Sequence, residues 1–408
     1  MKNEDRDIKK ALDFFRSDAG SYFIINGLTA LAFSFILPIM SLFLVEGLGV
    51  EPIYIGLYTI SAALSGMIMS QKLGGLSDRG IDSKTLFLCA VFGIVLAALS
   101  FSLLTEFWQA LVVGIVFMGL GSSSIPLILA MIRRFAEGSG QNSTKINSQM
   151  RSSVSLIWIV GPALAFASVD NLGFSVNFYV AALIALFVIA YTWKILPNAS
   201  VATTEQTKIG EHHKASVRLP KAVWFLGGVV FFANVANSTY ITAMPLYVTQ
   251  EMGFPVSFPG LLLGMTAAFE IPIMLLAANW SQKVGKVKLL LFSFGCAVIF
   301  YILLQMITSM AAFVVIQLFN GLFFGIFVGL GVTVLQDEAP DFIGKATAFY
   351  TNAMAVGTMA GTSVMGLLSQ YFGYKSALLL CLGSMLIAFV LLLSFELRTS
   401  RNSKQALA

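Results

Sequence analysis

Twelve apolar stretches, each long enough to cross a bilayer as a helix, follow one another along this chain. They cover approximately 22–46, 52–75, 84–104, 107–134, 146–170 and 174–195, then 220–249, 256–281, 286–306, 310–336, 343–370 and 373–396. Bilayer hydrocarbon is about 30 Å thick and takes about 20 helical residues to traverse. Backbone polar groups find no water there, which leaves helices and closed barrels as the only spanning structures. The polar–apolar alternation of barrel strands is absent, and unbroken apolar runs specify helices. Composition agrees: 57% of the 408 residues are hydrophobic and 11% charged, against about 25% charged in a soluble protein. The expected fold class is an all-α membrane protein with twelve transmembrane helices.

The longest polar break runs from Pro197 to Pro220. It divides the chain into an expected six-helix bundle at 1–195, a cytoplasmic linker at 196–219 and a second six-helix bundle at 220–408. His212 and His213 lie in that linker and read as solvated. Lys and Arg set the orientation, because basic loops stay cytoplasmic. With these spans, every Lys and Arg except Lys375 falls on one side. Both termini are therefore expected in the cytoplasm, and the net charge of +5 is a topology signal rather than a nucleic-acid footprint. The charged start, through Arg16, leads into a span too long for a cleaved signal peptide, so no targeting segment is expected to be removed. Cys89, Cys296 and Cys381 fall inside apolar spans and read as buried, inert thiols rather than disulfide or zinc partners.

The two halves repeat. Leu48-Gly49 and Gly56-Leu57 recur 204 positions later as Met252-Gly253 and Gly260-Leu261, and Ser77-Asp78-Arg79 meets Ser281-Gln282-Lys283 at the same offset. Gly161 and Gly173-Phe174 recur 200 positions later as Gly361 and Gly373-Tyr374. Halves duplicated about an axis along the membrane normal are the pattern of the major facilitator superfamily, whose substrate site lies between halves near the midplane. Gly74-Gly75-Leu76-Ser77-Asp78-Arg79-Gly80 resembles that superfamily's loop 2–3 motif, in which the resemblance implies that Gly74 permits close helix approach while Asp78 and Arg79 latch a cytoplasmic gate. The basic cluster that follows in the family is reduced here to Lys84.

Pro38 to Leu44, Ile55-Gly56-Leu57-Tyr58, Met150-Arg151 with Ser155 to Pro162, Pro245-Leu246-Tyr247-Val248, Glu270-Ile271-Pro272, Gly285-Lys286, Gln336-Asp337 and Ala346 to Tyr350 form a second set of resembling residues. Through them the chain is also similar to the bacterial sugar efflux transporters. These residues are spread over most of the chain. Drug/proton antiporters carry an Arg four residues before a Gly in helix 4, whereas Ile115 stands at that place before Gly119; their helix 5 glycine motif is reduced to Gly161-Pro162. By resemblance, Arg151, Gly161 and Pro162 join the gating candidates.

A charge at the centre of a membrane helix costs on the order of 3 kcal/mol. Of the 20 carboxylates, Glu270 alone lies near the middle of a span, one turn after Thr266 and two residues before Pro272, which opens the local backbone ladder. Its open roles are a hydrogen-bond acceptor for sugar hydroxyls, a proton carrier, or a residue satisfied by a neighbouring helix. Amides cluster at helical spacing: Asn26 with Thr29, Asn234 with Asn237, Gln317 with Asn320, and Asn352. They suit hydroxyl-rich ligands, or bond between helices at about 0.6 kcal/mol each. Trp158 is placed either to stack on a sugar ring or to fill the core. The substrate-binding candidates are thus Asn26, Trp158, Asn234, Asn237, Glu270, Gln317, Asn320 and Asn352, with Glu270 also the proton-coupling candidate.

No metal-ligand cluster, phosphate-cradling loop or ATPase domain is visible, so no cofactor or metal is expected and a gradient must supply the energy. The expectation is a non-enzymatic exporter of small sugars or glycosides in a bacterial inner membrane, working by alternating access as a proton antiporter and as a monomer within lipid. Multidrug efflux is the rival within the class, and a non-transporting receptor or scaffold the rival outside it.

Overall fold

The computed structural model describes residues 17–138, 143–196 and 219–406. The expected linker, with His212 and His213, lies outside the described residues except at its two ends. Helix α1 runs Asp18–Ser34 and continues, after a turn at 35–39, as Met40–Leu42 and a wide π-helical turn, Phe43–Gly47. Next come α2 (Ile53–Asp78), α3 (Ser83–Phe101) and α4, which starts at Phe107–Val113, widens at Gly114–Met118 and ends with Ser124–Gly138. Ser143–Ile195 is a helix bent at Gly173 into two arms, α5 (143–172) and α6 (174–195). The second half holds α7 (Lys221–Leu246, with a π-helical end Tyr247–Glu251), α8 (Phe258–Val284), α9 (Lys286–Met306), α10 (Met310–Asp337), α11 (Ile343–Phe372) and α12 (Tyr374–Ala406).

These twelve rods match the twelve apolar stretches. Among the described residues, nine helices are long and apolar enough to cross a membrane, with the two arms at Ser153–Ile195 counted once. The exceptions have local causes. Helix α1 is cut after Ser34, upstream of Pro38, which has no N–H to continue the ladder. The Phe35 carbonyl at that break accepts the Asn177 amide of α6 at 2.7 Å. Helix α11 is diluted by its Gly, Ser, Thr and Asn residues.

The repeat is visible in backbone geometry. Among the described residues, six glycines hold positive φ and fall into three pairs, one member in each half: Gly49 (65°) with Gly253 (68°), Gly80 (91°) with Gly285 (95°), and Gly173 (83°) with Gly373 (81°). The π-helical turns Phe43–Gly47 and Tyr247–Glu251 precede the first pair. L-residues with a Cβ pay about 1–3 kcal/mol at positive φ, so these corners favour glycine.

Contacts divide the chain into two compact units, Met1–Phe43 with Ser61–His212, and Leu44–Ile60 with His213–Ala408. In the first, α1 packs on α5 and α3 on α6; in the second, α7 packs on α11 and α12, α8 on α10, and α9 on α10 and α12. Lipid tails are as apolar as side chains, so close packing by small residues and hydrogen bonds must hold such helices together. In the first unit, Gly66 lies under the Ser122 hydroxyl and Gly119 under that of Ser65, joining α2 to α4. In the second, a Cβ on Gly361 would stand 2.7 Å from the Val235 carbonyl, joining α7 to α11. The segment Leu44–Ile60 belongs to the second unit through similar contacts: Gly56 abuts Ser363, and Gly366 abuts the Pro52 carbonyl. Large apolar side chains such as Leu183, Trp193, Leu275 and Val315 point outward and are more than 60% exposed. This is the surface a lipid solvent permits and water does not. Cys296 and Cys381 are buried, but Cys89 is exposed, contrary to the reading of all three as buried. An apolar span residue has two dry environments available, the bundle core and the lipid, and Cys89 occupies an outward face.

Candidate functional site

The polar residues expected inside the spans form two kinds of structure. The first is a helix clamp that occurs once in each unit. Asn26 Nδ2 on α1 donates to the Met150 carbonyl and to Ser153 Oγ on α5, both at 2.9 Å. Asn234 Nδ2 on α7 donates to the Met354 carbonyl at 2.6 Å and to Thr358 Oγ1 at 2.7 Å on α11. Ser238 adds a hydroxyl to the second clamp, 3.2 Å from Thr358 Oγ1. Both amides are buried, and their donors are engaged between helices.

The second is a buried polar knot in the second unit. Gln317 Oε1 on α10 accepts from Thr266 Oγ1 on α8 at 2.8 Å and from Tyr240 Oη on α7 at 3.2 Å. Asn320 Nδ2 donates to Thr266 Oγ1 at 3.3 Å and to Gln317 Oε1 at 3.4 Å. Gln317 Nε2 closes on its own helix, at the Phe313 carbonyl. Three helices thus meet at one amide oxygen, while Asn320 Oδ1 is buried without a partner among the described residues.

Glu270 begins the next turn of α8 after Thr266. It is half-buried, and its carboxylate makes no hydrogen bond or ion pair among the described residues. Its backbone is held firmly. Gly321 and Gly325 of α10 face α8, and a Cβ at Gly325 would stand 2.7 Å from the Glu270 carbonyl. Pro272 removes the N–H that the Ala268 carbonyl would accept. The chain therefore presents a lone carboxylate, on a locally opened helix, beside the knot of amides and hydroxyls. Asn237, one turn along α7 from Asn234, is buried and makes no side-chain hydrogen bond among the described residues.

Asn352 is exposed near the start of α11, in a groove with Trp224 and Phe349. Trp158 on α5 is 37% exposed. Gly161 is buried where a Cβ would strike the Ser34 hydroxyl of α1, and Pro162 is buried beside it. A Cβ at Gly74 would meet nothing within 4 Å. Asp78 and Arg79 are exposed and unpaired among the described residues. The side chain of Arg151 lies outside the described residues.

Several residues at this level escape sequence reasoning. Tyr240 sits six residues after Asn234, about a third of a turn round α7 from it, and aromatic character hides its hydroxyl. Arg134, in sequence only a topology charge, donates to Ser83 Oγ at 2.6 Å and Ser77 Oγ at 3.2 Å, and those two hydroxyls lie 2.7 Å apart. Lys84 is buried, and its Nζ donates to the Trp193 carbonyl at 3.2 Å and to that of Leu196. The spacing of Met150 and Ser153 against Met354 and Thr358 is the available signal for the clamps.

Comparison with known proteins matches this architecture. The Major Facilitator Superfamily profile matches residues 22–254 and 226–408. A protein of Dickeya chrysanthemi named sugar efflux transporter A is 30% identical over 365 residues, covering 89% of this chain and 92% of the relative. Sugar efflux transporter C of Escherichia coli strain K12 is 30% identical over 381 residues, covering 92% and 95%. Among solved structures, the nucleoside transporter NupG superposes with a TM-score of 0.78 at 14% identity, covering 93% of this chain and 98% of that one. A POT family transporter bound to 5-aminolevulinic acid gives 0.72 at 14%, covering 94% and 96%. At those identities the structural likeness speaks to the fold alone, while the profile matches span both halves of the sequence. The chain belongs to the major facilitator superfamily, and within it resembles the bacterial sugar efflux transporters.

Proposed function

We propose that this protein exports small sugars or glycosides across a bacterial inner membrane. The reading rests on one observation above the others: relatives named as sugar efflux transporters align with this chain over nearly their whole lengths at 30% identity. The proposed cycle is alternating access between bundles 1–195 and 220–408, driven by antiport of protons, with both termini cytoplasmic and the monomer as the working unit. Asp78 and Arg79 are the proposed gate, helped by Gly74, Arg151, Gly161 and Pro162.

The residues support a hydroxyl-rich ligand. A carboxylate accepts hydrogen bonds and amides both donate and accept, which complements sugar hydroxyls. Glu270 and Asn237 have unengaged side chains among the described residues, and Asn320 has a free buried oxygen; these are the proposed sugar contacts, with Gln317 and Thr266 setting their geometry. Asn26 and Asn234 support the wall through their clamps, and Trp158 offers a partly exposed ring for stacking. Glu270 is also the proposed proton carrier.

Counterflow of a radiolabelled sugar panel in proteoliposomes, with and without a pH gradient, tests this for the wild type and Glu270→Gln. The expected result is sugar exchange by the wild type, accelerated by the gradient, with the variant exchanging but unable to concentrate. Absence of sugar exchange by the wild type, with lipophilic cations carried instead, would sink the sugar assignment.

A further inference from the structure

We propose that the groove between the first turns of α7 and α11 binds the headgroup and glycerol of an anionic phospholipid. The groove is open, holds about 600 Å³, and is lined by Leu219, Lys221, Trp224, Lys345, Phe349 and Asn352 among others. Its rim carries two lysines and its lining no carboxylate. Both bordering helices begin here, and each adds the partial positive charge of its N-terminus. No side chain caps either start, at Pro220 or at Phe342, and neither first turn carries an acidic residue. The two lysines and the start of α7 therefore give the groove positive potential with no carboxylate in its lining, while Asp341, in the turn before α11, offsets part of that helix's end and Lys345 sits over the Phe342 ring at 5.4 Å. The complement is an anion.

The walls select a lipid over a free ion. Trp224 is 61% exposed and meets the Phe349 ring edge-on at 4.7 Å. Trp is enriched where hydrocarbon meets headgroups, and α7 enters its apolar span at Lys221. Phe349 lies directly against Gly227, where a Cβ would collide with its ring; this close seat makes an apolar floor on α7. Asn352 lies seven residues along α11 from Lys345, roughly 10 Å deeper. A phosphate held by the two lysines places its glycerol esters, which accept hydrogen bonds, toward that amide. Basic pockets between membrane helices are recognised sites for anionic headgroups. The site stands apart from the polar knot and from Glu270, and the inference does not depend on which solute is carried.

Native mass spectrometry of the detergent-purified full chain tests the site, with phosphatidylglycerol, cardiolipin or phosphatidylcholine titrated in. The wild type is expected to retain the two anionic lipids and not phosphatidylcholine. K221Q/K345Q is expected to bind them roughly 30-fold more weakly, about fivefold for each lysine near an anionic surface, while K221R/K345R keeps wild-type binding. Excess glycerol 3-phosphate should not displace the lipid. Equal retention of phosphatidylcholine, unchanged binding by the Gln variant, or displacement by glycerol 3-phosphate would each overturn the proposal. A photoreactive phosphatidylglycerol supplies a readout that needs no variant: label on peptides containing Trp224 or Phe349 supports the site, and label confined elsewhere rejects it.

Discussion

Asn26 and Asn234 do the same job in the two halves: each spends both amide protons on one carbonyl and one hydroxyl of the helix four places further along the chain. The helix pairs α1–α5 and α7–α11 are thereby fixed in register where lipid offers no hydrophobic drive to hold them. Asn234→Ala removes two interhelical bonds and is expected to destabilise the protein by about 1 kcal/mol, given about 0.6 kcal/mol per bond in membranes. Thr358→Ala also removes two interhelical bonds, those from Asn234 and Ser238, and should cost a similar amount. Thermal unfolding in detergent reads both. If Asn234→Ala left the midpoint unchanged while abolishing sugar binding, the residue would be a ligand contact instead of a clamp.

The paired corners Gly173 and Gly373 share their backbone conformation but differ in surroundings. A Cβ at Gly173 meets nothing within 4 Å, whereas one at Gly373 would stand 2.8 Å from Glu251 Oε1. That carboxylate accepts the backbone N–H groups of Tyr374 and, at 3.2 Å, Lys375, so it caps the start of α12. Gly173→Ala should cost only the conformational strain of holding φ 83° with ψ 170°, about 1–3 kcal/mol. Gly373→Ala should cost that plus a disturbed cap, and so unfold at a lower temperature. Equal midpoints for the two variants would show that the cap is dispensable.

The helix count and the repeat are legible because a lipid solvent writes both into composition: long apolar runs for the spans, glycine at each tight corner. Side-chain partners are not. Asn26 and Met150 are 124 residues apart, and nothing local to either names the other. Hydropathy also cannot separate lipid-facing from core-facing positions, which is why Cys89 reads as buried and yet faces outward. Within the candidate site, Glu270 stands out because charge at mid-span is costly, and Gln317 and Asn320 because their spacing puts them on one face. Their meeting with Tyr240 and Thr266 depends on the close approach of α8 and α10, allowed by Gly321 and Gly325, whose effect appears only once the helices are packed.

At the end of α10, Asp337 pairs with Lys286 Nζ at 2.6 Å. Burial, and then the Asp337 charge, push the neighbouring Glu338 carboxyl up from its ordinary 4.5. A raised folded value means the protonated form is favoured in the native state. The resulting stabilisation is complete below the unfolded value of about 4.3 and is lost as pH rises through the folded one. Over the window from about pH 4 up through the folded value, Glu338→Gln should therefore lose less stability than the wild type as pH increases. Parallel melting curves across that window would show that Glu338 does not contribute.

Lys84 and Arg79 carry the same charge near the same end of the first unit, but are bound to different consequences. Lys84 is buried, and its ammonium closes two carbonyls at the last turn of α6, where a cation also offsets the negative end of the helix dipole. Arg79 is exposed and unpaired among the described residues. Lys84→Met should leave the helix end unsatisfied and cost about 1–3 kcal/mol, lowering the melting temperature while those molecules that remain folded still exchange solute. Arg79→Gln should leave the melting temperature within error of wild type and slow exchange instead, because in the proposed gate its charge acts during the cycle and not in holding the unit together. Measuring melting and counterflow on both variants separates the two roles. Should Arg79→Gln transport at the wild-type rate, the loop 2–3 sequence is a solvated turn and the gate must be sought among other residues.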